Sequence, residues 1–332
     1  MRNLKEKEDR LKLTTNKIDA IREEIAKFIV GQEKTVEQVL WTMFSGGHAL
    51  LEGLPGLGKT MLVRTISDIM DLDFSRVQYT PDLMPGDITG TMMIQPDESG
   101  GQSFVFHEGP IFTNIVLADE INRATPKTQS SLLEAMQEKT VTVMGERKVL
   151  PSPFFVLATQ NPIELEGTYP LPEAQMDRFL VKIDVEYPSR EELKEIAVRT
   201  TAGTSVDLAK VVDGEFLLDV QKLINEVIVA DRMMNFAVSL VMGTHPNEEE
   251  APVSVKENVR YGSGPRGLQG LIKVAKTRAL MSGRVHVSFE DIKAVAIPVL
   301  RHRIFLNFEG EASGVKTDDL ILEIIQRIEE EK

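Results

Sequence analysis

The stretch that most constrains this chain is His48 to Arg64, HALLEGLPGLGKTMLVR. It sets Gly53-x-x-x-x-Gly58-Lys59-Thr60 between two apolar runs, Ala49-Leu50-Leu51 and Met61-Leu62-Val63 with Ile66. The first run predicts a short buried strand and the second the opening of a packed helix. Strand, glycine loop and helix, in that order, make a phosphate cradle. Glycines let backbone N–H groups turn inward around a phosphate, and the N-terminus of the next helix adds favourable partial charge. On this reading Pro55, Gly56, Leu57, Gly58, Lys59, Thr60 and Met61 contact a nucleotide. Lys59 reaches its β- and γ-phosphates, and Thr60 places its hydroxyl on Mg²⁺. An ordinary Gly-rich turn can match the same pattern, but the flanking strand and helix weigh against that.

Composition narrows the classes. At 332 residues the chain exceeds one typical domain, so two packed units are expected, and 42% hydrophobic residues supply a substantial core. There is no cysteine, which excludes disulfides and thiolate chemistry. The N-terminus, MRNLKEKEDRLKL, is charged and has no apolar signal segment, and no run approaches a membrane span. A cytoplasmic soluble protein is expected. A formal net charge of −13 with scattered Lys and Arg disfavours nucleic acid as a partner. The five histidines show no metal spacing.

Residues 1–13 read as a solvated lead-in, and helix signals begin near Thr15, with Ile18, Ile21, Ile25 and Phe28 at helical spacing. Val36, Val39, Leu40, Met43 and Phe44 mark a second helix. The break between them, Val30-Gly31-Gln32, has two readings: a packing turn, or the wall of an adenine pocket. Phe74 to Thr80 predicts a strand. Ile88 to His107 predicts a hairpin with Met92 and Met93 on opposite faces. In Asn114 to Arg123, NIVLADEINR, four apolar residues end in Asp119-Glu120, which suits a buried parallel strand with carboxylates at its carboxyl end. Beside the glycine loop, Asp119 holds Mg²⁺ and Glu120 deprotonates the attacking water; alone, the pair reads equally well as solvated caps. A helix at 125–138, a hairpin at 139–150, a strand at 154–159 ending in Gln160-Asn161-Pro162, and a strand at 180–185 follow. Asn161 reads either as a γ-phosphate or water contact or as an Asn-Pro turn. From Tyr187-Pro188-Ser189-Arg190 onward the pattern is helical, at about 189–200, 215–229, 231–242, 265–282, 289–300 and 317–330, with 243–264 polar and loop-like. Ser288-Phe289-Glu290-Asp291 resembles a capping box. Arg266 opens a helix, where positive charge is unfavourable unless a phosphate is near.

Taken in order, GLPGLGKT (53–60), GPIF…NIVLADEINRATPKTQSSLLEAMQE (109–138), VLATQNPIE (156–164), YPLPEAQMDRF (169–179), GSGPRG (262–267) and VLRHRI (299–304) resemble the AAA+ ATPases, specifically the MoxR family. The resemblance spans most of the chain beyond about residue 25. It implies an α/β, parallel-sheet P-loop ATPase domain over 1–187 and a C-terminal α-helical lid over 188–332. It also implies ATP and Mg²⁺ as cofactors, a homo-oligomeric ring, commonly a hexamer, and chaperone-like work on client proteins. A separate partner with a von Willebrand factor A domain often accompanies such proteins. Asn161 then resembles the sensor-1 residue, Arg266 the sensor-2 arginine, and Arg178 the arginine finger that enters a neighbour's site. The two hairpins resemble the family's helix-2 and pre-sensor-1 inserts. A nucleotide-gated switch with little turnover is the competing function. An intact Glu120 disfavours it, and a small-molecule kinase has no need of Arg178, Asn161 and a lid.

Overall fold

Three apolar runs and two mixed polar–apolar ones become the strands of one parallel sheet. The computed structural model describes residues 2–96, 101–162, 167–201 and 207–330. Two helices come first, α1 (Arg2–Phe28) and α2 (Glu33–Phe44). They are followed by β1 (Ala49–Glu52), α3 (Lys59–Ile69), β2 (Phe74–Gln78) and the short α4 (Pro85–Thr89). The hairpin β3 (Gly90–Pro96) and β4 (Gln102–Glu108) precedes β5 (Ile115–Asp119) and α5 (Pro126–Glu138). A second hairpin, β6 (Thr140–Val143) and β7 (Glu146–Val149), leads to β8 (Phe155–Gln160), α6 (Glu173–Met176) and β9 (Val181–Asp184). Helices dominate the rest: α7 (Arg190–Thr201), α8 (Gly214–Glu226), α9 (Asp231–Met242), α10 (Val253–Asn258), α11 (Pro265–Met281), α12 (Phe289–Leu300), α13 (Phe308–Ala312) and α14 (Thr317–Glu330). Among them β10 (Val259–Tyr261) and β11 (Phe305–Leu306) pair antiparallel. No helix among the described residues is long and apolar enough to cross a membrane.

The sheet order is β2-β5-β8-β1-β9, and every pairing is parallel. Alternation sends the strand residues to two cores. Ala49, Leu51, Ile115, Leu117 and Leu157 pack with α1, α2 and α3, whereas Leu50, Val116, Ala118, Val156 and Ala158 pack with Leu132, Leu133 and Met136 of α5. The first core runs on without a break into the later helices, through Leu217, Phe236, Leu271, Val295 and Ile321. β1 is the switch point, because the chain leaves it toward β2 on one side and ends at β9 on the other. Ligands bind outside the carboxyl ends of strands at such a point.

Two buried side chains tie these layers. His48 accepts a hydrogen bond from the Val156 N–H at 3.0 Å through Nδ1 and donates through Nε2 to the Met136 carbonyl at 3.1 Å. Burial lowers its pKa to about 4. Arg303 is buried, with Nε 2.8 Å from Asp177 Oδ1 and its other nitrogens on the carbonyls of Asp177, Phe179, Leu180 and Val299. A lid-side guanidinium thus clamps the turn between α6 and β9.

Several expectations change. Residues before Thr15 are helical, since α1 begins at Arg2. Lys, Glu, Arg and Leu are strong helix formers, so the segment can be helical while its charged sequence shows no apolar periodicity. The first hairpin starts at Gly90, and Ile88 lies in α4, which Pro85 opens and where Asp87 accepts from the Met84 N–H at 2.8 Å. The hairpin tip, 97–100, lies outside the described residues, as do Ile163 and Glu164 of the 156–164 string. Within 243–264 the chain forms α10 and β10 instead of a loop. The capping box at α12 is present: the Ser288 N–H donates to Asp291 Oδ2 at 2.8 Å and the Asp291 N–H to Ser288 Oγ at 3.3 Å. Met93 faces away from Met92 and is exposed, together with Ile94 and Phe104.

Candidate nucleotide site

β1, β8 and β5 deliver the site side by side. The loop after β1 turns through Gly56 and Gly58, whose φ values of +82° and +75° lie in the left-handed region that favours glycine. Gly58 caps α3, so the helix N-terminus opens directly onto the loop. Lys59 donates to the Gly53 carbonyl at 2.7 Å, folding its ammonium back over the loop. Burial lowers the Lys59 pKa, and the carboxylates of Asp119, Glu120 and Glu52 oppose that shift.

A cavity of about 370 Å³ opens here, lined by Pro55 to Met61, Asp119, Glu120, Thr159 and Asn161, and also by Arg76 and Gln78. Thr159, buried on β8 between the two functional strands, serves both carboxylate residues. Its hydroxyl donates to Asp119 Oδ1 at 2.5 Å and accepts from the Glu120 N–H at 2.9 Å. Glu120 itself sits at φ +56°, a left-handed conformation that an ordinary residue adopts only when its surroundings impose it. Its carboxylate accepts from Gln78 Nε2 at 2.8 Å and pairs with Arg123 at 3.2 Å. Arg76 donates to Asp119 Oδ2 from Nε at 3.0 Å and from Nη2 at 2.6 Å.

A second cavity of about 750 Å³ shares the loop residues Pro55 to Gly58 and Met61 with the first. Its far wall is largely apolar: Ile29, Val30, Tyr187, Leu193 and Ile196. Gln32 also lines it and donates to the Leu57 carbonyl at 2.8 Å, fixing the break after α1 to the loop. A polar chamber and an apolar chamber joined at a glycine loop match a nucleotide, whose phosphates and base differ in the same way. Gly31 does not line this wall. Its φ is +66°, and a Cβ there would come within 2.1 Å of Glu192, so it is a point of close approach.

The metal's donor set also fits. One carboxylate, Asp119, and one hydroxyl residue, Thr60, share the chamber beside the phosphate cradle, and Mg²⁺ is usually held by one or two carboxylates, water and phosphate oxygens. Among the described residues no cluster of three acidic or His side chains could hold a metal alone, so a cation here needs the phosphates.

Two expected residues lie elsewhere. Arg266 lines neither chamber; it is half exposed and pairs with Asp177 Oδ2 at 3.2 Å. Arg178, next in sequence to that aspartate, lines a separate polar groove of about 550 Å³ with Gln175, Glu138 and Arg147. Sequence reasoning missed Arg76, Gln78 and Thr159. Their one visible signal was a polar residue within a strand pattern.

Comparison with known proteins agrees with this geometry. Residues 48–181 match the model of the ATPase family associated with various cellular activities (AAA), and residues 253–324 match the AAA lid domain. The chaperone MoxR1 of Mycobacterium tuberculosis is 42% identical over 92% of this chain and 80% of its own length. The chain belongs to the MoxR family of AAA+ ATPases. Protein MoxR of Methylorubrum extorquens is 31% identical, with 85% of this chain and 86% of that protein covered. A crystal structure of a candidate ATPase from Cytophaga hutchinsonii superposes with a TM-score of 0.91 at 41% identity, covering 98% of both chains. For a MoxR-family chain, the sheet with the later helices is the expected AAA domain with a C-terminal lid.

Proposed function

We propose that this MoxR-family chain binds ATP with Mg²⁺, hydrolyses it, and uses the cycle to remodel protein complexes as a cytoplasmic homo-oligomeric ring, a hexamer in the simplest reading. The observation that carries the catalytic part is that Lys59, Asp119, Glu120 and Asn161 converge on one chamber beside a glycine loop. Lys59 holds the β- and γ-phosphates. Glu120 takes the proton of the attacking water, and Asn161 orients that water or the γ-phosphate. Mg²⁺, held by Thr60 and Asp119, would neutralise charge developing on the phosphate oxygens. Val30 and Gln32 flank the base.

Arg178 supports the ring. Its side chain has no hydrogen-bond or ion-pair partner among the described residues, and it lies in a groove apart from its own subunit's chamber. A guanidinium so placed suits a neighbour's γ-phosphate. Arg266 serves the nucleotide of its own subunit after leaving Asp177. The name of the Mycobacterium relative supports chaperone-like work, and the exposed Met93, Ile94 and Phe104 of the first hairpin offer a surface for a client or a von Willebrand factor A partner. The nucleotide-gated switch is the weaker alternative. Gln78, Arg123 and Thr159 all position Glu120, and a switch has no use for a placed base.

Subunit mixing tests this. Arg178→Ala and Glu120→Gln proteins should each be nearly inactive. Under subunit exchange, mixed rings contain junctions with both groups intact, so activity should return. No recovery despite proven exchange would refute a trans role for Arg178.

A further inference from the structure

The basic group Arg301-His302-Arg303 forms a single helical turn after α12, and all three residues reach the segment that runs from α6 through β9. Arg301 pairs with Asp184 at the end of β9, and His302 donates through Nε2 to the Phe179 carbonyl at 3.0 Å. Arg303 does most. A guanidinium carries five N–H donors in a fixed fork. Arg303 directs Nε to Asp177 Oδ1 at 2.8 Å and Nη2 to the carbonyls of Asp177 and Phe179 at 3.2 and 2.8 Å. Its Nη1 serves the carbonyls of Leu180, at 3.2 Å, and Val299. Four of these five bonds therefore end on residues 177, 179 and 180, and the side chain making them is 4% exposed. The residue they enclose is Arg178.

We propose that Arg303 is a positioning residue for Arg178: through this guanidinium the lid aims the arginine that one subunit lends to its neighbour. The proposal rests on the reading that Arg178 acts in trans. The Arg178 side chain lies in the polar groove with no partner among the described residues, so its own subunit offers it no contact to hold its direction. Its aim is then set by its backbone. On one side that backbone is fixed by the sheet domain, where Phe179 is fully buried and the Leu180 N–H donates to the His48 carbonyl at 2.8 Å. On the other it is fixed by Arg303, which grips the residues on both sides of Arg178. A buried charge needs a partner and satisfied donors, and Asp177 with the carbonyls supplies both. Loosening Arg303 should therefore spoil the site next door and leave the nucleotide chambers of its own subunit alone.

In the full chain, Arg303→Lys keeps a charge opposite Asp177, but with a single nitrogen it cannot span three residues. ATP turnover should fall on the order of 10²-fold, as when a reacting group is misplaced by about 1 Å. ADP affinity by calorimetry should stay unchanged, because Arg303 lines neither chamber. Under subunit exchange with Glu120→Gln protein, activity should return, since those subunits lend a well-aimed Arg178 to neighbours whose Glu120 is intact. With Arg178→Ala protein none should return, since no subunit then supplies the arginine. An Arg303 that only stabilises the fold gives another pattern, weakened ADP binding or a loss that Glu120→Gln subunits do not restore, and either would overturn the proposal. Recovery with Arg178→Ala, or turnover equal to the parent's, would overturn it too. The control pair is Arg178→Ala with Glu120→Gln. If that pair fails to recover, the trans reading of Arg178 falls and the proposal with it; if it recovers and the Arg303→Lys mixture does not, only the proposal falls. If Arg303→Lys does not fold by circular dichroism, Arg303→Gln is read by the same criteria.

Discussion

Thr159→Val isolates the contribution of one hydroxyl. The side chain is 1% exposed, and valine matches its branched shape, so what the substitution removes is the hydroxyl and its hydrogen bonds. Two hydrogen bonds disappear. The bond to Asp119 Oδ1 at 2.5 Å has a charged acceptor, worth ~1.5–3 kcal/mol, and the Glu120 N–H at 2.9 Å loses its acceptor, at a cost of ~1–3 kcal/mol if water does not replace it. Partial hydration of a chamber-facing site reduces the sum to about 3 kcal/mol. The catalytic consequence should be larger than the structural one. Glu120 is held at φ +56° partly by that N–H bond, and such a conformation costs ~1–3 kcal/mol. Without the bond the backbone can relax and carry the carboxylate off its line. A misplacement on the order of 1 Å lowers turnover by ~10²-fold. Urea unfolding measures the first effect and steady-state ATPase the second, and calorimetry with ADP should show affinity nearly unchanged, because Lys59 and the loop are untouched. A stability loss under ~0.5 kcal/mol together with unchanged turnover would refute the reasoning.

Lys59→Ala should weaken ATP binding severely, and unchanged affinity by titration calorimetry would contradict the phosphate cradle. Glu120→Gln should bind ATP tightly while turnover falls ~10²–10⁴-fold, the usual cost of a lost general base; weak binding with normal turnover would make Glu120 structural. His48 should make stability fall in acid. Its pKa is lowered to about 4 in the folded chain, against ~6.5 unfolded, so the unfolded state takes up the proton first. That stabilisation is present in full above pH ~6.5 and is lost as pH falls toward ~4, by ~3 kcal/mol in all. Buried His302, lowered for the same reason, adds to the slope, so chemical denaturation of His48→Gln against the parent isolates the His48 part. An equal slope in both would exclude it.

The parts legible in the sequence were those whose meaning is local. GLPGLGKT specifies a strand end, a loop and a helix start within one stretch, and the apolar run before Asp119-Glu120 specifies a buried strand by itself. The six longer helices after residue 187 announced themselves by spacing. Arg76, Gln78 and Thr159 stayed hidden because their roles depend on which strands become neighbours. Only the order β2-β5-β8 sets Gln78 opposite Asp119 and brings Thr159 to both carboxylates. The pairing of Arg266 with Asp177 spans 89 positions and leaves no local trace. The start of α1 was hidden for another reason: periodicity reports a buried face, and its first turns are carried by charged residues.

Arg303 bears on how the molecule can be dissected. A chain cut at residue 187 would keep every residue of the phosphate chamber and still lose this guanidinium. Asp177 and the carbonyls of Phe179 and Leu180 would lose a buried donor, and the turn that carries Arg178 would lose its clamp. The same cut would strip apolar cover from α1 and α2, whose core continues into the later helices. The first 187 residues therefore do not make a free-standing ATPase fragment. Their recombinant expression alone should give aggregation rather than a simplified enzyme, and the two halves are better regarded as one folding unit with a shared interior.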